Sequence, residues 1–266
     1  MRVLFLGDIV GEPGVQIVTQ AVPWLRERER LDLVIANAEN ACNGAGLSPS
    51  LYRRLRHSGI DGFTMGDHIY KKQEIIKSMK QGAPICKPAN FPLDAPGEDY
   101  LLLHLAGLPP LAVISLLGRV YMRPVDCPFH AVDRILANLE GQTQCILVDV
   151  HAEATSDKGL LGRYLDGRVS AVIGTHTHVA TADEQILPGG TAFLTDVGMT
   201  GPHDSVLGRR YDRVLFTTRT FMPSAFEVAK GDPRISGVLL ELDVASGRSL
   251  SIRRIQVRES ELPLKA

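Results

Sequence analysis

The chain has 266 residues, 44% hydrophobic and 22% charged, enough apolar side chain for a sizeable core and unlike a disordered or collagen-like polymer. Lys plus Arg total 29 against 30 for Asp plus Glu, and the resulting net charge of -1 excludes a general nucleic-acid or anionic-membrane binder. The four cysteines, Cys42, Cys86, Cys127 and Cys145, form no C-x-x-C pair, so a zinc knuckle or dithiol redox site is not expected.

In chain order, Val3 to Leu6 reads as a strand, and its apolar run stops at Asp8, too soon for a signal-peptide core; a cytoplasmic address follows. Pro13 suits the first turn of a helix, along which Val15, Val18, Ala21, Val22 and Leu25 recur at three- and four-residue steps. Leu33 to Ala36 is a second strand, Ser48 caps a helix over Leu51 to His57, Gly62 to Met65 is a third strand, and Lys71 to Lys80 is helical. The segment Lys87 to Gly97 is an ordered Pro-rich loop. Leu101 to Gly118 is the most apolar stretch, but Pro109 and Pro110 break any spanning helix, so it reads as two buried strands joined by a turn, with His104 in the core. A helix follows through FHAVDRILANLE, then strands at Cys145 to Val150, Val169 to Ile173 and Thr191 to Leu194. Gly237 to Val244 and Ser249 to Val257 close the chain as a hairpin around ASGR. Parallel β-α-β units at the start and antiparallel pairing at the end predict one α/β domain, a mixed two-sheet β-sandwich flanked by helices.

Ligands in α/β sheets gather beyond the carboxyl ends of the strands. Five predicted strands end in chemistry-bearing residues: Gly7-Asp8, Asn37 through Asn40 with Glu39, Gly66-Asp67-His68, Asp149-Val150-His151, and Gly174 through His178 with His176 and His178. Carboxylates, an amide and imidazoles crowded at one edge repel and desolvate one another unless cations intervene, and two divalent metals suit the ligand number. Gly7, Gly11 and Gly14 are spaced wrongly for a dinucleotide fingerprint, and there is no P-loop lysine. His57 reads as a surface group, and His130 as a helix cap or a surface group. His203 lies in the loop GPHDSVLG as a candidate substrate contact.

At these residues the sequence resembles the calcineurin-like metallophosphoesterase superfamily, with its G-D, G-N-H, isolated His and G-H-x-H blocks. GDIVGEPG, the N-A-E-N of Asn37 to Asn40, KPANFP, HAEATS, GTHTHVATAD and TDVGMTGP are similar to its YmdB-like branch of bacterial cyclic-nucleotide phosphodiesterases. The resemblance implies a four-layer αββα fold. It also implies two metal ions, iron or manganese first with zinc or magnesium as alternatives. Asp8, Glu39, Asn40 and His178 would hold one ion; Glu39, Asp67, His151 and His176 would hold the other; His68 would be the general acid. Two departures from the superfamily stand out: Val10 replaces the His of D-x-H, which is the branch's own habit, and Asp67 replaces the Asn that precedes the histidine.

The implied activity is hydrolysis of small phosphodiesters, 2′,3′- or 3′,5′-cyclic nucleotides, by in-line attack of a metal-bridging hydroxide. Lys87, Asn90 and Thr155 are candidates for phosphate or sugar contacts and equally suit loop-shaping roles. YmdB-like relatives imply self-association. Two other readings compete. A metal amidohydrolase barrel places its H-x-H on the first strand, whereas here the pair falls at 176 and 178. A regulatory protein would hold a nucleotide or RNA on an intact metal site and turn over little.

Overall fold

Side chains that alternate along a strand point to opposite faces of its sheet, and here that alternation assigns the layers. In the first strand, β1 (Arg2–Leu6), Val3 and Phe5 enter one apolar cluster and Leu4 and Leu6 another. The computed structural model describes residues 1–263, which form two mixed sheets with helices on both outer faces, the two-sheet sandwich expected from the sequence. The elements after β1 are β2 (Asp8–Ile9), α1 (Gly11–Glu29), β3 (Leu33–Asn37), α2 (Pro49–His57), β4 (Gly62–Thr64), α3 (Ile75–Lys80), β5 (Ile85–Cys86), β6 (Tyr100–Leu105) and β7 (Leu108–Leu117). They continue with α4 (Pro128–Leu139), β8 (Ile146–His151), α5 (Thr155–Leu165), β9 (Ala171–Thr175), β10 (Gln185–Ile186), β11 (Ala192–Leu194), β12 (Met199–Asp204), α6 (Tyr211–Thr220), β13 (Gly231–Leu242) and β14 (Ser249–Arg258).

The first sheet has the order β2-β12-β13-β1-β3-β4-β5, with β14 on the free side of β13; the second has the order β10-β11-β9-β8-β7-β6. β1, β3 and β4 are parallel neighbours, as are β7, β8 and β9, so each sheet presents a set of carboxyl ends. Between the sheets lie Val3, Phe5 and Ile35 from one side and Val113, Leu147, Ile173 and Leu194 from the other. Outside the first sheet, Val15, Val18, Val22 and Leu25 of α1, Leu55 of α2 and Met79 of α3 cover Leu4, Leu6, Val34 and Phe63. Outside the second, Val132 and Ile135 of α4 and Leu161 and Leu165 of α5 cover Ile114, Val148 and Val172. Four layers result.

Local signals account for most boundaries. Ser48 Oγ accepts the Leu51 N–H at 3.3 Å, and Pro49 opens α2. Arg30 stops α1 in a left-handed conformation, φ 53°. The helix expected over Lys71 to Lys80 is two pieces, a 3-10 turn at Ile69–Lys71 and α3, because Lys72 is extended between them. His104, expected in the core, is exposed on the edge strand β6. Among the described residues no helix is long and apolar enough to cross a membrane.

Candidate metal centre

The carboxyl ends of both sheets meet at one place, and the residues there divide by sheet. Asp8 follows β1, Glu39 and Asn40 follow β3, and Asp67 and His68 follow β4. His151 ends β8, and His176 and His178 follow β9. Ligand atoms of Glu39, Asp67, His151 and His176 all lie within 4.8 Å of one another. His151 Nε2 sits 3.1 Å from Glu39 Oε1, 3.5 Å from Asp67 Oδ1 and 3.0 Å from His176 Nδ1.

Beside this cluster is a second one. Asp8 Oδ1 is 3.8 Å from His178 Nε2, and the Asn40 amide nitrogen lies 3.3 Å from Asp8 Oδ1, 3.4 Å from Glu39 Oε1 and 3.2 Å from His178 Nε2. The Asn40 carbonyl oxygen faces His68 Nδ1 at 2.8 Å, and the His68 backbone N–H donates to Glu39 Oε2 at 3.0 Å. All eight residues that the sequence singles out as ligands or general acid are therefore brought together.

Each imidazole has one nitrogen anchored and the other aimed inward, as a ligand histidine requires. His151 Nδ1 lies 2.8 Å from Thr175 Oγ1, which donates its only proton to Asp149 Oδ1 at 2.6 Å. With Asp149 ionised, the hydroxyl can only accept from Nδ1, so a neutral His151 ring carries its proton there and would offer the Nε2 lone pair to an ion. His178 Nδ1 is held by the Leu207 carbonyl at 3.0 Å, and His176 Nε2 faces Glu153 at 3.3 Å. Asp149 is fully buried. It also accepts from Thr64 Oγ1 at 2.6 Å and Asn37 Nδ2 at 3.1 Å, so this network crosses from the second sheet to the first.

The electrostatics call for a cation. Burial would raise the Asp8 carboxyl, but His178, His151 and His176 outweigh it and hold the pKa below the usual value. Burial is likewise outweighed at Asp67, chiefly by His151, which keeps that carboxyl well below its ordinary range. Burial pulls the His151 imidazole down, yet Glu39, Asp67 and Asp8 together push it well above normal. A proton on His151 thus balances charge that a metal ion would otherwise balance. His176 is lowered, by burial first and by the neighbouring His151 charge second.

Two further observations fit an ion. Asp67 Oδ1 is buried without a hydrogen-bond partner. Gly66 passes directly under the cluster, where a Cβ would stand 2.3 Å from the His151 ring and 2.4 Å from Glu39 Oε2. Carboxylate and imidazole donors in this mixture suit first-row transition ions.

The remaining sequence candidates lie elsewhere in the hydrogen-bond network. Lys87 is buried and paired with Asp99, which also binds Arg134. Asn90 is buried, donates to the Leu117 and Asp126 carbonyls and accepts the Leu117 N–H. Thr155 opens α5, and His203 on β12 bonds the Gly201 carbonyl at 3.0 Å. The Lys87, Asn90 and His203 contacts are all within the chain. Sequence reasoning placed Asn37 and Asp149 at strand exits without giving them a role, and it missed Thr64 and Thr175, which end strands, and Glu153 close to His151. It also missed Arg209, whose guanidinium donates to the Asn43, Gly44 and Phe226 carbonyls and so ties the loop after Glu39 to the chain beyond His178.

Known proteins share this architecture. A relative from Bacillus subtilis (strain 168), described as 2′,3′-cyclic-nucleotide 2′-phosphodiesterase, is 43% identical over 262 residues, covering 98% of this chain and 99% of its own. The crystal structure of a hypothetical protein from Thermus thermophilus superposes with a TM-score of 0.91 at 42% identity, covering 97% of this chain and 100% of that one. A phosphatase from Mycoplasma pneumoniae superposes at 0.90 with 31% identity, covering 97% and 93%. The profile of the family described as YmdB-like protein matches residues 4–255, and with relatives this similar along nearly its whole length, the chain belongs to the YmdB-like family.

Proposed function

We propose that the protein is a metal-dependent phosphodiesterase that hydrolyses small cyclic nucleotides, 2′,3′-cyclic ones first. The observation that carries the reading is the convergence of Glu39, Asp67, His151 and His176 within 4.8 Å at the carboxyl ends of both sheets. The 43% identity to a 2′,3′-cyclic-nucleotide 2′-phosphodiesterase supports the substrate class. Glu39, Asp67, His151 and His176 would hold one ion; Asp8, Asn40, His178 and a shared Glu39 would hold the other, with iron or manganese as the metal. When bound, such a pair supplies Lewis acidity toward phosphoryl oxygens and lowers the pKa of water in the site.

The chain's own residues do the rest. The buried Asp8 and Glu39 and the anchored imidazoles fix the donor positions before substrate arrives, so little reorganisation is left for the reaction. His68 supplies the proton for the departing sugar oxygen. Its Nδ1 faces the Asn40 carbonyl, so that nitrogen keeps its hydrogen, and about a third of the ring is open to the solvent side where a leaving group would depart.

The test is incubation of the metal-loaded protein with 2′,3′-cyclic AMP and 3′,5′-cyclic AMP, with products followed by chromatography. Multiple turnover that depends on Mn²⁺ or Fe²⁺ is expected. His68→Ala should keep its metal and lose about a hundredfold to ten-thousandfold in turnover. Asp67, in the position where the superfamily pattern has Asn, favours the second reading, a regulatory nucleotide-binding protein. Saturable binding with no product in the presence of metal would establish that reading instead.

A further inference from the structure

Beneath the second sheet's ligands lies a fully buried ion pair that the chemistry above does not use. Lys158 on α5 is 0% exposed, and Asp196, in the link between β11 and β12, is 1% exposed; Lys158 Nζ donates to Asp196 Oδ2 at 2.6 Å. The same carboxylate oxygen accepts the Thr177 backbone N–H at 3.2 Å and the Thr177 hydroxyl at 2.8 Å, while Oδ1 accepts the Gly198 N–H at 2.8 Å. The lysine stem runs close beside Gly174, where a Cβ would stand 2.9 Å from Lys158 Cδ. Thr177 is the residue between His176 and His178, and both histidines have left-handed backbones, φ 94° and 65°.

Two non-glycine residues with positive φ, separated by a single residue, need a surrounding structure that holds them. A buried ion pair is weak evidence for stability, because apolar residues of similar volume often serve as well. Here the carboxylate grips the middle residue of the turn by both its donors. That grip leaves the flanking imidazoles to diverge, His176 toward His151 and His178 toward Asp8.

We propose that Asp196, with Lys158 as its buried counter-charge, is the positioning residue of the His176-Thr177-His178 turn, setting the backbone from which the two imidazoles reach their separate clusters. Its consequence for ion binding rests on the metal-centre reading; the turn geometry does not.

The test compares two double variants of the full chain, each lacking the ion pair. Lys158→Met with Asp196→Asn keeps an oxygen acceptor for Thr177; Lys158→Met with Asp196→Ala removes it. Three measurements are made: thermal unfolding of the metal-stripped proteins, Mn²⁺ affinity by equilibrium dialysis, and hydrogen exchange of the His176 amide. That amide donates to Asp8 Oδ2 at 3.1 Å, not to Asp196, and so reports the turn without metal. The Asn variant should bind Mn²⁺ close to wild type. The Ala variant should bind it about tenfold to a hundredfold more weakly, the range for removal of a ligand's supporting partner, with faster His176 exchange. Equal affinity and equal exchange in the two variants would overturn the proposal. Faster exchange in the Ala variant, with a wild type that binds no Mn²⁺, would instead overturn the metal reading and leave the positioning role standing. If the Ala variant does not fold, Thr177→Val decides: loss of the hydroxyl bond alone should weaken Mn²⁺ binding about fivefold, and unchanged affinity with unchanged exchange would refute the role.

Discussion

The first sheet brings carboxylates to the site and the second brings imidazoles. Asp8, Glu39 and Asp67 leave β1, β3 and β4, while His151, His176 and His178 leave β8 and β9. The two groups are also held differently. The carboxylates follow short parallel strands and face one another, with Asp8 and Glu39 buried. Each imidazole is fixed by a partner on its far nitrogen. Neither sheet carries a complete donor set, so the cluster exists only where the sheets dock. Beneath it the junction is sewn by Thr64 and Asn37 donating to Asp149, and by the Ser115 hydroxyl donating to the Met65 carbonyl at 2.7 Å. An ion held by this cluster would therefore couple its binding to sheet docking.

The largest test removes one donor from each side. Glu39→Ala on the first sheet and His151→Ala on the second should each lower turnover by about a thousandfold or more, since a metal contributes several kcal/mol and about 1.4 kcal/mol is tenfold. Metal content measured on the same samples should drop in both; full activity in either would separate the sheets' roles and break the comparison. Next in size is the docking itself. At an ion concentration about a hundred times Kd, bound metal adds about 2.7 kcal/mol, so a chelator should lower the Tm by roughly 5–10 °C, read by calorimetry.

The crossing carboxylate gives a pH signature. Burial raises Asp149 from 3.8 to about 6, with His151, Thr175, Thr64 and Asn37 offsetting only part. A folded pKa above the unfolded value means that this group's contribution is complete below pH 3.8 and is lost as the pH rises through 6. The metal-free protein should therefore lose on the order of 3 kcal/mol across that window, at about 1.4 kcal/mol per pKa unit, and Asp149→Asn should flatten the curve in denaturant titrations at successive pH values. A smaller effect separates orientation from charge. Thr175→Val removes the hydroxyl between Asp149 and His151; Mn²⁺ affinity by dialysis should fall about tenfold, and the metal-free Tm should fall by about 2–10 °C because two buried groups lose a partner.

Much of this arrangement is legible in the sequence, for a physical reason. A polar residue straight after an apolar run marks a strand exit, and Asp8, Glu39, Asp67, His151 and His176 all stand there. What supports them is not legible. Asp149, Thr64 and Thr175 look like ordinary strand residues until the second sheet is laid across the first, because the partners are distant in sequence. Lys158 is hidden in α5, whose TSDKGLLGRYL carries two glycines and little periodicity; Gly162 is required there because a Cβ would stand 2.5 Å from the Phe193 ring. α6 has no buried residue, so no apolar stripe announces it, and β12 reads as a loop because MTGPHD contains a Gly-Pro pair. For Lys87 and Asn90 the sequence leaves a substrate contact and a loop-shaping role equally open, and the structure shows both buried and bonded to Asp99 and to backbone groups.

Arg209 joins three carbonyls from two chain segments with one planar group. A lysine there would offer a single point of attachment in place of a fork. The loop after Glu39 and the segment around Phe226 would then lose their common anchor in one exchange, with every candidate ligand left in place.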